Sequence, residues 1–296
     1  MMAPQSAEPA KTSQLPREEV IRRVVRATEK FPSLLPIVQR GLVLVEDPTA
    51  TVGQIERVLC ADAVMVARIL KLANSAYYGV MTEVRTVSMA VNVIGYRRLR
   101  SLLRHILAAG LIEILAQGRP GSARIREEAV AVSAASHELA LRCQAEDPEE
   151  LLVAGLLYNI GELALSWSFP KEYAVVIDWS ASMPLSSAQE VMFGVSSRQI
   201  GRLVLESWRF PGLFCKIVEG WPQPLMETAD SELRRSLTIV HVGIVLARAL
   251  AAGQDADSLE IAAEIRSEIG LLEETPRQVL QTLPQQIVGI RAMLEP

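Results

Sequence analysis

Apolar residues recur along this chain at spacings of three and four rather than two, a period that predicts helices almost throughout. Pro16 suits the start of a helix with Glu18 and Glu19 in its opening turn and Val20, Val24 and Ala27 as its apolar stripe. The tract 34–36 interrupts it, and a second helix is expected to reach Glu46 and Asp47. Thr51 caps a third, with Ile55, Val58 and Leu59 on one face. Asp62 opens a fourth, through Met65, Ile69 and Leu72 to Asn74 and Ser75. Residues 77–85 lose the helical period and read as a loop. Thr86 then caps a short helix ending at Gly95, and 96–117 reads as a long one.

Gly118, Pro120 and Gly121 form the clearest internal punctuation. Beyond them, periodicity predicts helices at about 123–145, 149–167, 184–192, 196–208, 211–219, 231–252, 256–272 and 276–294. Pro284 is expected to kink or divide the last. No solenoid period and no run of alternating β-branched residues is visible, so the expected class is all-α. The expected organisation is a disordered, Pro- and Ala-rich segment at 1–16, a helical layer at 17–118, a second at 122–222, and a C-terminal helical extension at 229–296.

Composition narrows what such a scaffold does. Of 296 residues, 50% are apolar and only 5% aromatic, so the mean hydropathy of +0.23 reflects a large helical core. Uncharged apolar stretches such as 151–158 fall short of the roughly 20 residues a bilayer span needs, so no membrane insertion is expected. The N-terminus has no apolar signal core and contains Glu8. A net charge of −4 supplies no global positive field, which disfavours nucleic acid. Cys60, Cys143 and Cys215 are dispersed with no CxxC pair, which excludes a readable zinc finger and suits a reducing cytoplasm. His105, His137 and His241 are the only histidines and lie far apart. Phosphate-binding glycine loops and nucleophile elbows are missing. The neighbouring pairs Glu127-Glu128 and Glu149-Glu150 point to different helix faces, as helix-start charges do.

Several stretches carry a more specific pattern. In order, they are Leu35-Pro36, Glu46-Asp47-Pro48, RILKLANSAYYG from Arg68, TVSMAVNVIGYRRLRSLL from Thr86, DPEELLVAGLLYNIGELAL from Asp147 and EVMFGVSSRQIGRLVLESWRFP from Glu190. Together they resemble the HDOD family, signalling relatives of the HD-domain metal-dependent phosphohydrolases, over about 31–222. The resemblance implies a multi-helical HD-like bundle with an N-terminal helical layer. It also implies a role in bacterial signal transduction, often beside cyclic-di-GMP turnover or two-component regulation.

The same resemblance locates the metal ligands of the catalytic relatives, and this chain lacks them. The His-Asp dyad position holds Tyr158 and Asn159, a neutral phenol and a weak neutral oxygen donor. The stretch where the family often keeps a His reads Phe193-Gly-Val-Ser-Ser197, and the later His position falls near Gly220-Trp221. The first ligand position falls near Glu128–Ala129, two turns before His137. No metal, cofactor or catalytic set is therefore expected. Tyr158, Asn159, Ser197 and Arg198 are the candidate walls of a vestigial pocket, the alternative being a site filled by packing. Asn74, Ser75, Tyr77 and Tyr78 either build a loop or form a contact rim. Arg97, Arg100 and Arg104 share one helical face, which is either a solvated surface or a docking site for an anionic partner.

The expected function is a non-catalytic, cytoplasmic signalling module that binds other proteins, with cyclic-di-GMP-turnover or receiver-domain proteins as the partner classes and homodimerisation through the C-terminal helices as a further use. A diverged nucleotide phosphohydrolase and a DNA-binding regulator are the alternatives. Stoichiometric metal with turnover would favour the first of these, and steep salt-dependent duplex binding the second.

Overall fold

The computed structural model describes residues 15–28, 34–61, 63–74, 81, 83–226 and 229–294, and among these all regular structure is helical. Local signals fix many boundaries. The first helix, α1 (Arg17–Thr28), follows Pro16, and α2 spans Leu34–Glu46 with Pro36 tolerated in its first turn. Thr51 and Gln54 form a reciprocal capping box on α3 (Val52–Leu59), which buries Ile55 and Leu59. Next comes α4 (Ala63–Ala73), and then α5 (Val87–Ala116), which Thr86 caps by accepting the Met89 N–H at 3.0 Å. Gly95, at φ 79° and ψ 165°, interrupts α5 where the sequence predicts two helices. That conformation is closed to residues with a β-carbon.

The second layer starts with α6 (Ser122–Arg142), followed by α7 (Pro148–Leu157) behind the Asp147 N-cap. Where one helix is expected over 149–167, the chain breaks at Tyr158-Asn159 and resumes as α8 (Ile160–Ser168). The apolar run hides this break, which is held by tertiary contacts of the two residues. Together the pair has the length and hydropathy of a membrane span, but 89% of that window is buried inside the protein, which makes it a core element. A helix the sequence reading did not anticipate follows, α9 (Pro170–Trp179), burying Tyr173 and Val176. The layer then continues through α10 (Leu185–Phe193), α11 (Ser197–Ser207) and α12 (Gly212–Gly220).

At the C-terminal end lie α13 (Ser231–Ala251), α14 (Ala263–Ile269) and α15 (Thr275–Leu294). Residues 256–272 do not form the single helix expected. Leu259 and Ile261 both pack against the core, and alternate residues reach one side only in extended chain. Pro284 does not divide α15, which runs continuously through it.

Packing assigns the helices to layers. α5 is the shared wall, with α2, α3 and α4 on one side and α6, α7 and α8 on the other. Although α1 falls within the expected N-terminal layer, it packs across α8 and α11 instead, with the Arg23 guanidinium 4.4 Å from the Phe169 ring centroid. Leu15, expected to be disordered, is anchored there by its N–H to the Met192 carbonyl at 3.0 Å; residues 1–14 lie outside the described residues. α13 and α15 both cover α6. The central joint is α8 on α11, where a β-carbon on Gly161 would lie 1.8 Å from the Ser197 carbonyl oxygen.

Candidate functional site

The break between α7 and α8 places Tyr158 and Asn159 against α6 and α13, and both are buried. From α6 come Arg124 and Glu128, one turn apart and paired at 2.9 Å. Arg124 also reaches Glu162 on α8 at 3.0 Å, and Glu162 accepts from the Tyr173 hydroxyl at 3.1 Å. From α13, Arg248 donates its Nε–H to Glu128 at 2.8 Å. The Tyr158 hydroxyl is a further donor to Glu128. Its ring meets Trp221 edge-on at 5.8 Å between centroids, and the Trp221 carbonyl accepts from His241 Nδ1 at 3.0 Å.

This network is closed on itself. Burial would raise the Glu128 pKa, but hydrogen bonds from Arg248 and Tyr158 and the charges of both arginines hold it below the usual carboxylate value. Tyr158 moves the other way: burial, reinforced by the Glu128 charge, pushes its phenol well above its normal value, so it stays protonated. Burial raises Glu162 as well, against the pull of Arg124. The Asn159 amide donates to the Ile125 carbonyl at 3.0 Å, while its Oδ1 is buried without a partner.

Could such a set hold the divalent metal of the catalytic HD domains? Its two carboxylates, Glu128 and Glu162, already share Arg124, and Glu128 also pairs with Arg248, so a metal there would face two fixed positive charges. The phenol is neutral, and the amide offers one weak donor. Among the described residues no group of three or more His, Cys, Asp or Glu is placed to bind a metal ion. The residues do not fit the metal.

The remaining predicted positions separate. Ser197 starts α11, its carbonyl against Gly161, and Arg198 turns to α12, donating to the Glu219 carbonyl at 3.0 Å. Ser75, Tyr77 and Tyr78 lie outside the described residues. Asn74 does a loop-closing job: its amide donates to the Leu70 and Val84 carbonyls at 2.9 and 2.7 Å, and its Oδ1 accepts the Val84 N–H at 2.7 Å. Arg97 is exposed, and Arg100 is half-buried 3.9 Å from Asp147.

Arg104 is not on a surface with them. It is 5% exposed, pairs with Glu46 at 2.9 Å and with Glu150, and is buried because α5 is the wall between layers. Arg104→Ala is expected to cost about 3 kcal/mol by leaving Glu150 uncompensated in a part-buried site, whereas Arg97→Ala should stay within about 0.5 kcal/mol. Urea unfolding of the two variants checks this; equal midpoints would mean that Arg104 holds nothing together.

Sequence reasoning put the first ligand position near Glu128–Ala129 and took Glu127 and Glu128 for helix-start charges, but α6 begins at Ser122 and Glu128 lies in its interior, held by arginines; Arg124, Glu162 and Arg248 were missed. The signal was partly present, since Arg124 and Glu128 have ion-pair spacing on one helix. Arg248 is 120 residues from Glu128 and carries no such sign.

An all-helical fold built in two layers about α5 defines a class of multi-helical, HD-like domain. Residues 31–224 match the HDOD domain family, and the chain belongs to it. Among solved structures it resembles an HDOD domain protein from Geobacter sulfurreducens (TM-score 0.69, 19% identity, 94% of this chain and 97% of that one). It is similar to a protein of Shewanella amazonensis provisionally named a phosphohydrolase (TM-score 0.69, 22% identity, 92% and 98%). It is also similar to one of Marinobacter aquaeolei provisionally named a signal transduction protein (TM-score 0.66, 21% identity, 94% and 64%). At these identities the likeness concerns the fold. A curated relative, an uncharacterized protein of Treponema pallidum, is 25% identical over 188 residues, covering 62% of this chain and 35% of its own length. The chain thus spans about a third of that relative.

Proposed function

We propose that this chain is a non-catalytic signalling module that acts in the cytoplasm by binding another protein, with cyclic-di-GMP-turnover and receiver-domain proteins as the partner classes. The observation that carries this reading is the arginine-bracketed Glu128 with protonated Tyr158, near the place where the family resemblance puts the metal ligands of catalytic relatives. Such a cluster lacks the donor set for a metal and engages both carboxylates with arginines, which leaves no unengaged base to activate water. It cross-links α6, α8 and α13 electrostatically. The free thiols of Cys60, Cys143 and Cys215 accord with a reducing compartment. The exposed arginine face at Arg97, continued by Arg100, supplies the docking surface, and Tyr77 and Tyr78 stay candidate aromatic contacts on sequence alone.

The test joins two measurements. Purified protein supplied with Mn²⁺ or Fe²⁺ should retain no stoichiometric metal and should leave cyclic dinucleotides intact. Affinity capture from the native bacterium should recover a signalling protein that is lost when Tyr77→Ala/Tyr78→Ala or Arg97→Glu/Arg100→Glu is introduced. Turnover abolished by Glu128→Gln would establish an enzyme instead. A partner set indifferent to both double variants would remove the proposed surface.

A further inference from the structure

One face of the HDOD domain is covered by a helix from outside it. The domain begins at residue 31, whereas α1 ends at Thr28, and α1 lies across α8 and α11. The helices that follow α1 in the chain, α2 and α4, pack on α5 instead. The α8–α11 face thus belongs to the domain, and its cover does not.

That cover is held lightly. Along its 12 residues only Val20 and Val24 are fully buried, one turn apart, with Ile21 partly buried beside them. Arg23 sits over the Phe169 ring from an exposed position, and such contacts are weak where water reaches them. The Leu15 N–H adds its hydrogen bond to the Met192 carbonyl. Arg17, Glu18, Glu19, Arg22 and Arg26 are exposed, and among the described residues none of them forms an ion pair with another element. By contrast α13, which also lies outside the domain, buries Leu237, Val240, Ile244 and Ala247 and is tied to α6 by the Arg248–Glu128 pair.

A lone helix of this length is marginal in water, so α1 is helical because it is docked. Few buried side chains and a largely exposed backbone place such an element at the low-stability end of a native structure. Its departure would bare a face of the domain already shaped to an amphipathic helix. Grooves of that kind read a partner by apolar anchors at i and i+4, which is the spacing of Val20 and Val24.

We infer that the α8–α11 face is a helix-docking surface that α1 occupies in cis, as a strap that leaves and returns while the core stays folded. A helix with the pattern of α1, β-branched residues at i and i+4 and an arginine at i+3, competes for it. The tether raises the effective concentration of α1, so the face stays closed to weak binders and opens to strong ones. This surface shares no element with the Arg97 face, and peptide binding is measured apart from partner capture, so either reading can fail alone.

The probe is a fluorescent peptide spanning residues 15–28, titrated into the full chain as parent and as Val20→Asp/Val24→Asp, with hydrogen exchange followed in both. In the parent, the amides of 21–27 should exchange at least about a hundredfold faster than those of α6 and α8. The variant cannot bury two carboxylates beneath α1, so its strap should stay off while α6 and α8 keep their protection. It should bind the peptide one to one, at least about tenfold tighter than the parent does. An Arg23→Ala peptide should bind about threefold more weakly, and one carrying Val20→Asp/Val24→Asp should not bind. Protection of α1 equal to that of α8, loss of α6 protection in the variant, or a peptide that binds neither chain or both alike would overturn the inference.

Discussion

Gly161→Ala is expected to be among the most damaging single substitutions in this chain. The added methyl would lie 1.8 Å from the Ser197 carbonyl oxygen and 2.6 Å from the Gly201 nitrogen, both backbone atoms of α11. No rotamer change relieves such an overlap, so α8 and α11 must move apart along a buried joint. Overpacking of this kind costs about 3 kcal/mol or more when the obstruction is backbone. Gly53→Ala is the matched control. Gly53 is exposed in α3, and a β-carbon there meets nothing within 4 Å. Helix propensity alone then acts, and the control should gain about 0.5–1 kcal/mol. Urea titrations of both variants and the parent decide the matter; a Gly161→Ala loss below about 1 kcal/mol would mean that α8 and α11 do not approach this closely.

The joint also shows which parts of the structure were legible in advance. Local chemistry could be read: Thr51 with Gln54, Thr86, Gly95, and Asp147 with Pro148 each satisfy or release backbone groups within a few residues of themselves. The break at Tyr158-Asn159 could not, because it lies inside a continuous apolar run and is held by Ile125 and Glu128 of α6 and by Trp221 just past α12. Likewise α9 was missed, although Phe169, Tyr173 and Val176 make its buried stripe; Pro170 at its start reads equally well as a loop. The arginine face shows the limit of periodicity. Spacing places Arg97, Arg100 and Arg104 on one side of a helix, but only the position of α5 between two layers shows that this side turns inward by Arg104. The candidate site repeats the lesson. The family resemblance pointed to Tyr158 and Asn159 and to the neighbourhood of Glu128–Ala129, while the charged partners around them come from α8 and α13.

Stability should fall steeply between pH 6.5 and 4, and two histidines outside the candidate site are the main cause. His105 and His137 are buried in α5 and α6, and burial depresses each pKa from 6.5 to about 4. In that interval the unfolded chain takes up protons that the native state does not, so acid favours unfolding. The contribution of each is intact above pH 6.5 and is lost as pH falls towards 4, at roughly 3 kcal/mol per histidine. His241 has the same sign: burial lowers it, the Trp221 carbonyl resists, and Arg248 adds to the lowering. Glu162 opposes them, since burial raises its pKa and acid relieves the cost of its buried charge. Glu128, held low, adds to acid loss only at the bottom of the range. His105→Leu isolates one part of this sum. The His105 Nε2 is buried without a hydrogen-bond partner, so a leucine removes an unsatisfied polar atom and the titration together. The variant should match or exceed the parent at pH 7, and its advantage should widen by roughly 3 kcal/mol by pH 4. Urea midpoints at pH 7, 5.5 and 4.5 with an unchanged m-value would show this; parallel losses in parent and variant would assign the acid sensitivity to other groups.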